Sequence, residues 1–111
     1  MKRGDVYWVN FEPAVGGEIK KRRPAVINSN NASNKHLNRV QVMPFTSNVT
    51  NLYPSEVAIT LQGKQSKAKA DQISTVSKKR LSDNILHSLT DEEMRLVDHA
   101  IKIQLGLIAA H

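Results

Sequence analysis

The spacing of apolar residues changes once along this chain, at Thr90. Before it they come in short runs of strand length, broken by Pro, Gly, Asn and Ser; after it they recur at helical spacing. Side chains alternate faces along a strand and return to one face about every 3.6 residues along a helix. The order is therefore several short strands followed by one terminal helix. A parallel sheet needs a crossover between its strands, usually a helix, and no helical pattern separates these runs. The fold class that remains is mainly β: a small half-open barrel covered by a C-terminal amphipathic helix.

Residues 5–11 (DVYWVNF) are rich in aromatic and β-branched types and form the first expected strand. Pro13 and Gly16-Gly17 break it and open a loop through about Arg22. Residues 24–28 (PAVIN) read as a second strand starting on proline, where proline is tolerated. A polar connection, 29–38, leads to residues 39–45, where Val40, Val42 and Pro44 oppose Gln41, Met43 and Phe45. A turn region at 46–53 precedes 56–61, which sets Val57, Ile59 and Leu61 on one face before Gly63 ends it. Residues 67–73 read as a weaker strand, and 81–89 fit no single pattern.

Thr90-Asp91-Glu92-Glu93 has the form of a capping box, with acidic residues at the positive end of the helix dipole. Met94, Val97, Ile101, Leu105 and Ile108 predict an amphipathic helix over 91–105, its apolar face widened by Leu96, Ala100, Ile103 and Leu107. Gly106 marks its expected end.

With 111 residues the chain is long enough to bury a core as one domain, the barrel over about 3–89 and the helix over about 91–105. It has no cysteine, which excludes disulfide scaffolds, thiolate metal sites and cysteine nucleophiles. No apolar run approaches the roughly 20 residues of a membrane span, and Met1-Lys2-Arg3-Gly4-Asp5 has no apolar segment after its basic pair. The expected location is the cytoplasm. Sixteen Lys and Arg against ten Asp and Glu leave a net charge of +6, which favours a polyanion, nucleic acid first.

The four histidines, His36, His87, His99 and His111, show no paired spacing, so no metal site is expected. Gly4 and Gly16-Gly17 match no phosphate-binding loop, and there is no Gly-x-Ser-x-Gly elbow. Three stretches carry chemistry instead. In residues 16–24 (GGEIKKRRP), the cations Lys20, Lys21, Arg22 and Arg23 follow a flexible loop holding Glu18. Arg23 precedes Pro24 at a rigid strand edge, where a guanidinium can offer a planar fork to a phosphate. In residues 44–48 (PFTSN), the hydroxyls of Thr46 and Ser47 and the amide of Asn48 cluster where a strand opens into a loop. In residues 69–72 (KADQ), Lys69 and Asp71 stand two apart, on one face if the segment is a strand. Each stretch also has a plain structural reading: a solvated basic turn, ordinary turn chemistry and a surface ion pair.

Together these stretches resemble the MazF/PemK/Kid family of bacterial toxin endoribonucleases. The likeness runs through RGDVYWV, Glu12-Pro13, the Gly-Gly-Glu loop, RPAV at 23–26, PFTS at 44–47, Asp71-Gln72-Ile73 with Thr75-Val76, Lys79-Arg80-Leu81 and LTDEEM at 89–94. The resemblance implies an SH3-like barrel with a C-terminal helix, acting as a homodimer. It implies the toxin of a type II toxin–antitoxin pair, an mRNA interferase that cuts single-stranded RNA without a metal or other cofactor. Such enzymes leave a 2′,3′-cyclic phosphate and a 5′-hydroxyl, and an antitoxin with a disordered C-terminal arm blocks the RNA groove.

Arg23 and Thr46 match the family's catalytic arginine and threonine. Glu18 and Asp71 are candidates for a base or for orienting Arg23. Lys20, Lys21, Arg22 and Lys69 are expected on backbone phosphates, and Ser47, Asn48 and Gln72 on RNA as well. The sequence departs from the pattern at Lys69, Ser74, Ser77 and Asn28-Ser29-Asn30. These departures bear on base preference, because base contacts specify while phosphate contacts position. An alternative on the same fold is a CcdB-type toxin, which binds DNA gyrase through a Trp-Gly-Ile end. Residues 105–111 hold no tryptophan.

Overall fold

The structure is a computed structural model and describes residues 1–110. Seven strands form one curled antiparallel sheet: β1 (Asp5–Asn10), β2 (Arg22–Ile27), β3 (Arg39–Thr46), β4 (Glu56–Leu61), β5 (Lys64–Lys69), β6 (Ser74–Ser77) and β7 (His87–Ser88). Their order is β4-β5-β3-β2-β1-β7, with β6 also paired to β3. Helix α2 (Asp91–Gln104) covers one end of this half-barrel, and a short helix α1 (Asn31–His36) lies between β2 and β3. The mainly β, helix-covered architecture expected from the sequence is the one observed.

The alternation in β3 explains its central place. Met43 and Phe45 pack into a cluster with Val6, Val26, Val57, Ile59 and the α2 residues Met94, Val97 and Ala100. Val40 and Val42 face the other way, among Tyr7, Val9, Phe11, Ala25, Ile27, Val76 and Leu81. The sheet is thus buried on both faces at its middle. Removing a side chain such as Phe45, 1% exposed, would cost about 3–5 kcal/mol.

Four segments differ from the sequence reading. The loop ends earlier than expected, because β2 begins at Arg22. Residues 31–36 are helical rather than an irregular polar connection: Asn30 caps them by accepting the Ser33 N–H at 2.9 Å. That helix buries a polar residue, Asn34, whose amide donates to the Ser29 carbonyl at 2.8 Å, so no apolar period announces it. Gly63 does not simply end a strand. With Gln62 (φ 48°) and Gly63 (φ 82°) it makes a two-residue turn closed by the Leu61–Lys64 pair. β5 therefore starts at Lys64 and stops at Lys69, and Ala70–Gln72 form a 3-10 turn instead of continuing the strand.

Helix α2 carries the capping box in full, with Glu93 N–H to Thr90 Oγ1 at 3.1 Å and Thr90 N–H to Glu93 Oε1 at 2.9 Å. It ends in a Schellman turn: Leu107 N–H reaches the Lys102 carbonyl at 2.8 Å, Gly106 N–H reaches Ile103 at 3.0 Å, and Gly106 takes φ 74°. The helical phase stops there, so Leu105 and Ile108 are exposed rather than part of the buried stripe. Leu96 is exposed too, since one residue turns it about 100° from Val97.

Candidate active site

Strand register sets the first two candidate residues on one face of the sheet. Ala25 stands opposite Pro44 and Val26 opposite Met43 across β2 and β3. Counting on two residues along both strands from the Ala25–Pro44 pair reaches Arg23 and Thr46. On the other edge of β3, Thr46 pairs with Lys67 of β5. Directly opposed residues point to the same face of a sheet. Thr46 and Lys67 are thus paired across β3 and β5, and the β2–β3 register, paired as far as Ala25–Pro44, aims Arg23 toward them on the face that carries Ala25, Val40 and Val42.

Arg23 is half-buried, and its Nε donates to the Lys20 carbonyl at 3.0 Å. That bond fixes the guanidinium plane and leaves its Nη groups without a protein partner among the described residues. Thr46 Oγ1 accepts the Asn48 N–H at 3.3 Å, so the hydroxyl proton is free to donate. Asn48 Oδ1 in turn accepts from Thr50 N–H at 3.2 Å and Thr50 Oγ1 at 2.7 Å, while Ser47 is exposed. The turn-forming role of this stretch and its availability to a ligand coexist.

A groove of about 430 Å³ runs along the same face, lined by Phe11, Glu18, Ile19, Asp71, Gln72 and Arg80 among others. Arg23 and Thr46 do not line it. Glu18 Oε1 accepts the Val15 N–H at 2.9 Å, which folds the tip of the loop. Gln72 Oε1 accepts the Ile19 N–H at 2.9 Å and its Nε2 donates to the Gly17 carbonyl at 3.4 Å. Gln72 therefore latches the loop to the sheet with the amide that the sequence reading assigned to RNA. The base of the loop is held by Glu12 Oε1, which accepts the Lys21 N–H at 2.7 Å, and by Arg80, which donates to the Asn10 carbonyl at 3.0 Å and to that of Glu12.

The remaining candidates separate. Lys20 and Lys21 are exposed on the loop. Arg22 points to the opposite face of the sheet, its guanidinium carbon 5.4 Å from the centre of the Trp8 ring, away from Arg23. Lys69 and Asp71 do not share a strand face, because the 3-10 turn intervenes; Lys69 Nζ lies 4.0 Å from Glu56 Oε2, and Asp71 is exposed.

Sequence reasoning missed Lys67 and Glu56. Lys67 Nζ donates to Glu56 Oε1 at 2.9 Å and to the Asn51 carbonyl at 2.6 Å, both side chains being under a tenth exposed. Burial alone would raise the Glu56 carboxyl. The Tyr53 N–H, the hydrogen bond and charge of Lys67 and the charge of Lys69 outweigh it and hold the group below its ordinary value. The only sequence signal was two lysines with period two at 67 and 69. Among the described residues no three of His, Asp and Glu gather into a metal-binding group, and no helix is long and apolar enough to cross a membrane.

Comparison with known proteins places this geometry. Residues 2–105 match the family described as PemK-like, MazF-like toxin of type II toxin-antitoxin system. The chain belongs to this family. A curated PemK/MazF relative, the endoribonuclease MazF9 of Mycobacterium tuberculosis, is 35% identical over 116 aligned residues, covering 96% of this chain and 98% of the relative. The crystal structure of MazF from Deinococcus radiodurans superposes with a TM-score of 0.84 at 27% identity, covering 96% of each chain. A mycobacterial endoribonuclease solved in complex with its cognate antitoxin superposes at 0.81, with 28% identity and 97% of each chain covered. The PemK/MazF framework thus extends across both the face that carries Arg23 and Thr46 and the groove beside it.

Proposed function

We propose that this protein is the toxin of a type II toxin–antitoxin pair and an endoribonuclease that cuts single-stranded mRNA without a metal. The observation that carries the reading is Arg23 and Thr46 on one face of the sheet beside a loop rich in lysine. Cleavage of this kind uses the substrate's own nucleophile. The 2′-oxygen attacks the adjacent phosphorus, its proton passes to a base, the bond from phosphorus to the 5′-oxygen breaks, and that oxygen takes up a proton. The products are a 2′,3′-cyclic phosphate and a 5′-hydroxyl, and no water or metal hydroxide is needed.

Arg23 supplies preorganised donors for the charge that develops on the phosphorane oxygens, and such donors usually contribute more to catalysis than any other single effect. Thr46 donates its hydroxyl proton to a phosphate oxygen or aligns the 2′-hydroxyl. Of the two carboxylates, Asp71 is the freer to act as base, because Glu18 already accepts a loop N–H. Lys20, Lys21 and Lys69 bind backbone phosphates, and Ser47 and Asn48 meet bases. Arg22, on the far face, is left out of this role.

The chain acts in the cytoplasm and as a homodimer, the latter supported by the exposed Leu96, Leu105, Leu107 and Ile108 along and beyond α2. Its antitoxin covers the RNA groove with an extended arm; a Deinococcus radiodurans relative, 27% identical, has been crystallised as a MazE–MazF complex. The test is incubation of purified protein with mixed single-stranded RNA in excess EDTA. Discrete cuts are expected. No cleavage, or cleavage only without chelator, would falsify the reading, and inhibition of gyrase supercoiling in its place would favour a CcdB-type toxin.

A further inference from the structure

The loop after Thr46 is tied down from beneath and presents an aromatic ring above. Lys67, 6% exposed, donates to the Asn51 carbonyl at 2.6 Å and to Glu56 Oε1 at 2.9 Å. Glu56 also accepts the Tyr53 N–H at 3.0 Å. The pair thus grips the loop at residues 51 and 53, once through an acceptor and once through a donor. Burying a lysine and a glutamate carries a desolvation cost that their attraction does not reliably recover, and an apolar pair would fill the space with less penalty. An apolar pair could not hold a carbonyl and an N–H of the same loop.

The grip fixes one side chain in particular. Lys67 Nζ lies 5.8 Å from the centre of the Tyr53 ring, within reach for a cation–π contact. Tyr53 is nevertheless 60% exposed, and its neighbour Leu52 is 57% exposed. The ring thus has an ammonium within reach and is still largely open to solvent. Lys67 is also the cross-strand partner of Thr46, so the loop that carries this ring starts at the hydroxyl and is anchored on the strand paired with it.

We propose that Tyr53 is a specificity-determining residue: its open face stacks on an unpaired base flanking the scissile linkage, and Lys67 and Glu56 are positioning residues that hold the ring there. The proposal rests on the RNA-cutting reading above and names the ring by which that site grips its substrate. Every base has a π-face, so stacking of this kind adds affinity broadly and a modest preference through stacking strength.

The experiment compares wild type, Tyr53→Phe and Tyr53→Ala on a pool of short single-stranded RNAs randomised around the cut, reading kcat and KM per sequence, with thermal unfolding to check the fold. Tyr53→Phe should stay close to wild type. Tyr53→Ala should raise KM by about 10-fold, the scale of one lost base–aromatic stack, leave kcat nearly unchanged and flatten the preference at one flanking position. A Tyr53→Ala protein with the wild-type KM and preference overturns the proposal. Tyr53→Phe as impaired as Tyr53→Ala also overturns it, since the hydroxyl and not the ring face would then be responsible. A wild-type protein that cuts nothing in the pool overturns the RNA-cutting reading itself, a result distinct from either.

Discussion

Arg23 and Thr46 lie on adjacent antiparallel strands, far apart in sequence and on the same face of the sheet, each two residues beyond the paired Ala25 and Pro44. The two strands, anchored by the buried Ala25 and Phe45, therefore aim guanidinium and hydroxyl to one side of the sheet. That arrangement suits catalysis by preorganised donors, which gains by avoiding rearrangement during the reaction.

Arg23→Ala should lower the cleavage rate by at least about 100-fold, the scale of one such electrostatic group. The fold should survive, because the side chain makes one hydrogen bond, to the Lys20 carbonyl. Arg23→Lys should recover little, since lysine keeps the charge and loses the fork. Initial rates on one RNA, with circular dichroism as the fold control, decide it; undiminished turnover in folded Arg23→Ala removes this residue from the mechanism.

Thr46→Ser and Thr46→Val separate the hydroxyl from the shape. Serine keeps a donor and should retain most of the rate. Valine is close in volume but has no hydroxyl, and it also leaves the Asn48 N–H without its acceptor. A loss of about 100-fold in kcat is expected for valine, the low end of the same electrostatic scale. Equal rates for the two variants would contradict a role for the hydroxyl.

Cations on the loop should show themselves through salt. Each phosphate contact removed reduces the slope of log affinity against log salt by about 0.7 for a single strand. Lys20→Ala should show that reduction in binding to an RNA made uncleavable by 2′-O-methylation. Arg22→Ala should not, because its guanidinium lies over Trp8 on the opposite face. The reverse pattern would mean that RNA runs along the Trp8 side.

The fold was largely legible and the site only partly so, for reasons visible in particular residues. Short β-branched runs and the Thr90–Glu93 capping box announced strands and helix, because both depend on local spacing. Helix α1 did not, since it buries Asn34 where an apolar residue would have revealed a period. Arg23 and Thr46 could be nominated separately, but their place on one face depends on strand register, which is a long-range property. The same holds for Lys67: nothing in residues 64–69 says that one lysine is buried against Glu56 and another half-exposed. Gln72 shows the same limit: a side-chain amide suits a base or a backbone equally well, and here it holds the Ile19 N–H.

Acid should loosen the Lys67–Glu56 pair. The Glu56 carboxyl is held below its ordinary value of 4.5. Its contribution to stability is therefore complete above that value and is lost as pH falls through the lower, folded value. Thermal midpoints between neutral pH and pH 3 should fall less steeply in Glu56→Gln than in wild type. Lys67→Met, which leaves the buried carboxylate only the Tyr53 N–H and the more distant Lys69, should lose stability at neutral pH, up to the roughly 3–5 kcal/mol of a broken buried pair. A Glu56→Gln protein with the same acid sensitivity as wild type would place that sensitivity elsewhere.

The most direct test of the central claim is a crystal structure with a short RNA carrying a 2′-O-methyl group at the cut. The expected result is one phosphate approached by both an Arg23 Nη and Thr46 Oγ1 at hydrogen-bonding distance, roughly 2.7–3.2 Å. A scissile phosphate held by only one of them, or RNA lying over Trp8 and Arg22 on the far face, would contradict it.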